Sequence, residues 1–453
     1  MTAATLPLPT APSVRLDWRP VLSAIITGSM LGAVLALCTT RTPAGWAVHA
    51  SLYGAAVMTV IAAKLLLSLL AAPPRATAAA RAAASRLVLA AVVTVYNEDP
   101  AAFGRCLDSF LAQTRIPDAI AIVDDCSADP ACYRLARRRA GEFEARGCAV
   151  AVIRQPRNLG KREGLAAGFT AWDGADVYLA VDCDTILDRR AVERALPAFA
   201  DERVMAATGT VLAANRARNL LTRLIDLRYA YAFLGERAAY SALGSVLCVC
   251  GSLAFYRGAP VRAHLPAFAA QTFLGQRCTY GDDRHMTNLL LRDGRVVLVP
   301  GVAAWTYVPE RLGHFLRQQL RWSKSFIRET LWALRHQSPA RPAWWLTVFE
   351  AVTQAGFTCG LAYSLLARPL LAGRFTPGDW LLAALLLAYA RAGHYAEASH
   401  PDMTPGGRLA GFALAPAYSV LSMSLLMPLR VYALFTLRDA RWGTGQAVEV
   451  EAS

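Results

Sequence analysis

Lysine is nearly missing from this chain. Of its 47 basic residues only Lys64, Lys161 and Lys324 are lysines, and 44 are arginines. Charge is sparse overall, at 18% of 453 residues against 55% hydrophobic. An apolar share above the usual ~45–50% excludes a disordered or fibrous chain. The ten cysteines form no CxxC pair, which removes zinc-finger modules and small disulfide frameworks. Cys38, Cys148 and Cys359 stand in apolar stretches and read as small hydrophobes. Cys248-x-Cys250 is too tight for an ordinary structural zinc site, so a reduced, cytosolic catalytic part is expected. A basic n-region and an A-x-A site after a short apolar core are both absent, so no cleaved signal peptide is expected. Helix-turn-helix and RNA-binding signatures are also absent, so the net charge of +14 does not point to nucleic acid. It suits anionic lipid or a phosphorylated substrate instead. In a chain that otherwise writes Arg for Lys, the lysines kept at 161 and 324 mark places where a compact ammonium matters.

Five long apolar blocks cluster at the two ends: Pro20–Cys38, Trp46–Leu70, Trp344–Leu366, Trp380–Ala398 and Leu409–Leu437. Each is of a length that can enter or cross ~30 Å of hydrocarbon at 1.5 Å per residue. The chain therefore divides into a cytoplasmic N-terminus (1–19), two transmembrane helices (20–72) and a linker (73–86) that opens at Pro73-Pro74. A catalytic domain (87–310) and interfacial helices (311–340) follow, then C-terminal transmembrane or interfacial helices (344–437) and a tail (438–453). Arg15, Arg19 and the Arg-rich centre favour the cytoplasmic side. Five crossings would leave Arg438 and Arg441 outside. Pro416 and Pro428 resolve this by predicting a broken, re-entrant or interfacial last block. Arg391 is costly in lipid and is expected to face protein or an aqueous path.

The centre alternates strand and helix patterns. Strands are predicted at Leu87–Val95, Ala119–Val123, Ala149–Ile153 and Val177–Val181, with a helix from Pro100 carrying Phe103, Leu107, Phe110 and Leu111 inward. Three strands end in acidic or polar clusters, Tyr96-Asn97-Glu98, Asp124-Asp125 and Asp182-Cys183-Asp184. Strand ends are where open α/β sheets bind ligands. Two carboxylates one residue apart can present a divalent cation to a diphosphate. Gly160-Lys161-Arg162 opens a helix and offers N–H groups and two cations to one anion. Gly281-Asp282-Asp283 precedes another helix, where one carboxylate can cap and the other can act as a general base. Gln318, Arg321 and Trp322, on an amphipathic stretch, offer an amide, a diphosphate clamp and a flat face for a sugar ring.

In order the chain reads VVTVYNE (92–98), IVDD (122–125), GKR (160–162), VDCDT (181–185), GSLAFYR (251–257), YGDDRHMTN (280–288) and RQQLRWSKSFIRET (317–330). This series resembles the processive membrane family-2 glycosyltransferases. It is most similar to hyaluronan synthases and more distantly to chitin-oligosaccharide and cellulose synthases. PLRVYALFTLRDARWGT (428–444) resembles the hyaluronan synthase C-terminus. The resemblance implies a GT-A-type α/β domain, a mixed sheet flanked by helices, inserted between N- and C-terminal transmembrane helices. It implies that Tyr96, Glu98 and Asp124 line a nucleotide pocket, with Lys161 and Arg162 near the phosphates. Asp182 would bind the UDP-sugar, Asp184 would hold Mg²⁺ or Mn²⁺, and Asp283, beside Asp282, would be the base. Gln318 and Arg321 would hold the diphosphate, while Gly251, Ser252 and Trp322 would meet the acceptor. Two positions depart from the pattern. Gly251-Ser252-Leu253 stands where hyaluronan synthases have Gly-Pro-Leu, and Asp124-Asp125-Cys126 where a D-G-N or D-G-S type is commoner.

The implied activity is inverting transfer from UDP-sugars to a growing polysaccharide, extruded across the plasma membrane by a multi-pass protein in contact with lipid. WSKSFIRE and the terminal WGT favour hyaluronan, made from UDP-GlcNAc and UDP-GlcA. A chitin-like or poly-GlcNAc product is the alternative within the same chemistry. A non-processive lipid glycosyltransferase and a non-catalytic membrane scaffold are the rivals outside it.

Overall fold

The computed structural model describes residues 18–40, 47–70, 77–363, 370 and 377–439. Most of the N-terminal segment, Pro73-Pro74 and the tail with Arg441 and Trp442 lie outside the described residues. At the centre is an eight-stranded sheet in the order β3-β2-β1-β4-β7-β6-β10-β5. Its strands are β1 (Leu89–Val95), β2 (Ala119–Asp124), β3 (Ala149–Arg154), β4 (Val177–Asp182), β5 (Thr185–Leu187), β6 (Val204–Ala213), β7 (Ala254–Arg257) and β10 (Arg295–Thr306). A small hairpin, β8 (Thr272–Phe273) and β9 (Gln276–Arg277), stands apart. β3, β2, β1 and β4 run parallel, whereas β7 is antiparallel to both β4 and β6, so the sheet is mixed.

The hydrophobic pattern explains the centre. All seven residues of β1 (LAAVVTV) are buried, as a strand covered on both faces requires. One cover is the helix Pro100–Leu111, whose N-cap Asp99 accepts from the backbone N–H groups of Ala101 and Ala102, with Pro100 pre-set at its first position. Phe103, Leu107 and Phe110 face inward, as their spacing predicts, while Leu111 is only partly buried. The other cover is the helix Lys161–Ala171, which lies so close that a Cβ on Gly168 would come within 2.3 Å of Val92.

The expected apolar blocks are helical where described: Arg19–Thr40, Ala47–Leu70, Pro342–Ala362, Pro377–Ala392 and a run from Pro405 to Phe435. Among the described residues, that last run of 31 residues, with an 18-residue stretch of mean hydropathy 1.6, is long and apolar enough to cross a membrane. It is one run with two irregularities rather than a separated pair. The first lies at Leu414, just before Pro416, and the second is a π-helical turn, Ser422–Leu426, just before Pro428. Each proline removes one helix N–H and displaces the carbonyl four residues back.

Both ends of this run are fastened to the central domain. Just before it, Asp402 pairs with Arg216 at 2.9 Å. Just after it, the Asp439 carbonyl accepts from Lys324 Nζ at 3.2 Å and from the Tyr280 hydroxyl at 3.4 Å. Between them, Leu426 is buried with Ile225, Val308 and Phe315. The preceding segment docks on buried Asp226, which accepts from Tyr395 at 2.8 Å and pairs with His400 at 3.0 Å. Arg391 faces protein, its guanidinium 6.0 Å from the Tyr231 ring centre.

The N-terminal helices are joined to the domain by charge. Lys64 Nζ lies 3.0 Å from Glu236 and 2.9 Å from Glu350, whose carboxylate also accepts from the Tyr240 hydroxyl. Arg228 completes the group at 3.1 Å from Glu236. Three segments distant in sequence thus meet at one ammonium. Removing one partner of such a buried set strands its opposite charge. Lys64→Met is expected to lower unfolding stability by about 3–5 kcal/mol, with Lys64→Met/Glu350→Gln recovering a large part of the loss. Thermal unfolding of the detergent-purified variants measures both.

Candidate active site

The sheet register gathers the acidic motifs on one edge. β1 places Val95 opposite Asp124 and Thr94 opposite Asp182. Tyr96, Asn97 and Glu98 leave β1 at that same edge. The loops after β1 and β2 are stitched together there: the Asn97 amide oxygen accepts from the Ala128 N–H at 2.8 Å, and the Asn97 N–H donates to Ser127 Oγ at 3.0 Å. Asn97 adopts a φ of 50°, a region its short polar side chain tolerates. Asp124 is 1% exposed, and neither of its carboxylate oxygens accepts a hydrogen bond among the described residues. Arg154 stands 3.4 Å from it. Paired in charge but without a hydrogen bond, this carboxylate keeps acceptor capacity for a donor from outside the chain.

Asp125, not among the expected site residues, holds the neighbouring loop. It accepts from the N–H groups of Leu159 and Gly160, both at 2.8 Å, and burial pushes its carboxyl up. Gly160, at φ 95°, then turns the chain into the helix that begins with Lys161. Successive side chains at a helix start point about 100° apart, and the two expected cations diverge accordingly. Lys161 enters the pocket. Arg162 turns inward, donating to the Phe268 carbonyl at 2.8 Å and lying over that ring.

One pocket is lined by Lys161, Asp182, Gly251, Asp282 and Asp283 above an apolar floor that includes Phe169, Tyr256 and Phe268. The Lys161 ammonium is hydrogen-bonded to Asp182 and lies 3.9 Å from Asp282. Burial alone would lower its pKa, but these carboxylates outweigh burial and hold it well above the ordinary lysine value. Asp282 and Asp283 open the helix Asp282–Leu290 without a side-chain cap. Burial pushes the Asp283 carboxyl up, the Asp282 charge adds to this, and Lys161 opposes it. The Cys248 thiol donates to Asp283 at 3.6 Å. Ser252 donates to the other oxygen of Asp182 at 3.0 Å.

Asp184 follows in the turn between β4 and β5. Its carboxylate accepts from Thr306 at 3.0 Å and Thr185 at 3.3 Å, residues that the β5–β10 pairing sets side by side. Hard carboxylate oxygens at Asp182 and Asp184 suit Mg²⁺ or Mn²⁺. Among the described residues no three acidic, His or Cys side chains converge as a complete cage. Such a set fits a metal that shares its shell with a substrate diphosphate.

Gln318, Arg321 and Trp322 lie on the 25-residue helix Leu312–His336. Trp322 is 46% exposed, with its ring 6.4 Å from that of Tyr229. Gln318 Oε1 is buried without a hydrogen-bond partner among the described residues. Further along, Glu329 is fully buried and accepts from Gln271 at 2.8 Å, with His285 Nδ1 also at 2.8 Å and Arg328 at 2.9 Å. Burial would raise the Glu329 carboxyl, but His285 and Arg328 outweigh it and bring it down to about 2. Since His285 belongs to the helix that starts with Asp282 and Asp283, this cluster fastens the acid-bearing helix to the Gln–Arg–Trp helix. Gly281 makes the close approach possible. Its φ is 77°, and a Cβ there would lie 2.0 Å from Ser325 Oγ. Glu329 stands in the 317–330 motif without an assigned role and Gln271 in no motif; only their packing reveals what they do.

Known proteins resemble this chain in sequence and in fold. A family described as "Glycosyltransferase like family 2" matches residues 86–325. A hyaluronan synthase of Streptococcus pyogenes is 37% identical over 365 residues, covering 80% of this chain and 84% of that protein. An N-acetylglucosaminyltransferase of Azorhizobium caulinodans is 33% identical over 353 residues, covering 78% of this chain and 85% of its own. Among solved structures, the mannosyltransferase PcManGT from Pyrobaculum calidifontis, in complex with GDP-Man and Mn²⁺, covers 93% of this chain and 99% of its own, at a TM-score of 0.50 and 17% identity. That likeness shows the GT-A-like fold, a mixed sheet with flanking helices. The chain is a glycosyltransferase and belongs to glycosyltransferase family 2.

Proposed function

We propose that this enzyme elongates a polysaccharide by inverting transfer from UDP-sugars and passes the product through its own membrane helices. The observation that carries this reading is the meeting of Lys161, Asp182, Asp282 and Asp283 at one pocket, beside a helix that presents an exposed tryptophan. Asp124, buried and with no hydrogen bond to its oxygens, accepts from the nucleotide base. Lys161 and Arg321 bind the diphosphate, Gln318 assists them, and Tyr96 and Glu98 border the nucleotide. Asp182 and Asp184 would hold Mg²⁺ or Mn²⁺, which supplies positive charge to the diphosphate when bound. The acceptor hydroxyl gives its proton to Asp283 and its oxygen bonds to the anomeric carbon. The bond from that carbon to UDP breaks, leaving the electron pair on the phosphate oxygen. Direct displacement needs one base and no enzyme nucleophile.

This assignment has a pH signature. Asp283 works only when ionised, so activity falls as pH drops through its raised pKa. Removing the Asp282 charge removes a cause of that elevation. Asp282→Asn is expected to move the acid limb of kcat to lower pH. Asp283→Asn is expected to retain UDP binding and lose at least about 1,000-fold in kcat, within the range for a general base. Rate–pH profiles and UDP titrations of both variants check this.

The likeness to the S. pyogenes hyaluronan synthase favours hyaluronan as the product, and the likeness to N-acetylglucosaminyltransferases keeps a chitin-like product as the second reading. Incubation of purified enzyme with UDP-GlcNAc, UDP-GlcA or both separates them. Hyaluronidase-sensitive polymer is expected only with both donors, and resistant polymer from UDP-GlcNAc alone would replace hyaluronan with the chitin-like product.

The central domain is proposed to face the cytosol. Ser23 approaches His394 at 3.3 Å and Thr27 donates to the Ala390 carbonyl at 2.9 Å. The beginning of the first helix therefore lies beside the end of Pro377–Ala392, on the domain side. The run Pro405–Phe435, tied to that domain at both ends, is proposed to lie in the membrane interface. Its exposed Leu409, Val420, Tyr432 and Phe435 would sit in lipid. Four crossings then return the C-terminus to the cytosol. A protease-sensitive tag after Ser453 is expected to be cut in inside-out vesicles and protected in right-side-out ones; cutting in right-side-out vesicles would make the last run a fifth crossing.

A further inference from the structure

We propose that Ser252 is a positioning residue of the nucleoside-diphosphate donor site, rather than an acceptor contact. This rests on the functional reading above and assigns one of its residues a different task. The sheet itself sets the placement. β7 runs antiparallel to β4 with Val177 opposite Arg257 and Ala180 opposite Ala254. Continuing that register past the last paired residues brings position 252 opposite position 182. The side chains meet there, with the Ser252 hydroxyl donating to Asp182 Oδ2 at 3.0 Å while Lys161 takes Oδ1.

Ser252 is only 6% exposed, so its surface is committed to the protein and presents little to an incoming sugar ring. The preceding residue lies equally close to the pair. A Cβ on Gly251 would lie 3.1 Å from Lys161 Nζ and 3.5 Å from both Asp182 oxygens. The Gly251-Ser252 turn therefore forms the back wall of the Lys161–Asp182 pair.

Asp182 has two tethers of different kinds. Lys161 is the group that must turn towards the diphosphate when a donor arrives, and its hold on Asp182 weakens as it does so. The hydroxyl of Ser252 faces no such competition. It keeps Asp182 oriented while the ammonium serves the donor.

The test uses full-length enzyme in detergent, with Ser252→Ala and Ser252→Thr. UDP affinity is measured by titration. KM is measured separately for UDP-GlcNAc and for an oligosaccharide acceptor. Loss of one hydrogen bond to a charged group predicts a rise of about 10- to 100-fold in the UDP Kd and donor KM of Ser252→Ala. The acceptor KM should stay within about twofold, and Ser252→Thr, which keeps the hydroxyl, should recover most of the donor affinity. A raised acceptor KM with unchanged UDP affinity would overturn the assignment in favour of an acceptor contact. Equal impairment by Ala and Thr would overturn it in favour of loop packing. Should the wild-type enzyme bind no UDP, the functional reading itself falls, an outcome visible before any variant is made.

Discussion

A single ammonium group stands at the centre of the candidate site. Lys161 faces Asp182 and Asp282, and its charge is also felt at Asp283. Gathering three carboxylates in one partly dry pocket is costly, because each like charge disfavours ionisation of its neighbours. One compact cation, carried on the first turn of a helix packed against the central strand, makes the gathering tolerable. A neutral residue at 161 would remove the charge that opposes the upward push of burial and Asp282 on Asp283. The rarity of lysine elsewhere in the chain accords with this demand, since guanidinium is planar and reaches by a fork rather than a point.

The rest of the architecture holds that constellation still. Asp125 fixes the turn that launches Lys161, Ser252 steadies Asp182, and two threonines orient Asp184. The buried Glu329 cluster joins the acid-bearing helix to the helix with Gln318, Arg321 and Trp322, so these two working elements are constrained to move together. A buried ionic cluster is an expensive fastener compared with apolar packing, and its benefit is a defined geometry. The same device recurs at Lys64, where helices outside the sheet are joined to the domain, and at Asp226, where the segment before the last helix docks.

Sequence alone determined the catalytic domain's frame. β-branched and apolar runs bounded by acidic clusters marked β1, β2 and β4, and a proline-started helix with inward Phe103, Leu107 and Phe110 followed from spacing. The motif series identified the family, because each motif is local to one strand end or one helix. What sequence did not determine were relations between distant segments. β7, four residues long and inserted antiparallel between β4 and β6, carries no local signal of that position, yet it decides that Ser252 faces Asp182. Lys161 and Arg162 read as two equal cations in a string, and helical rotation separated one into the pocket and the other onto Phe268. Glu329 and His285 stood in two separate motifs with no assigned role and Gln271 in none, and only packing made them one cluster. The last apolar run had the length and composition of a membrane crossing; its tethers at Asp402 and Asp439 exist only once the domain has folded around them. Local periodicity and chemistry are written along the chain, whereas partnership across the sheet and between helices depends on long-range register and burial, which no short window of residues contains.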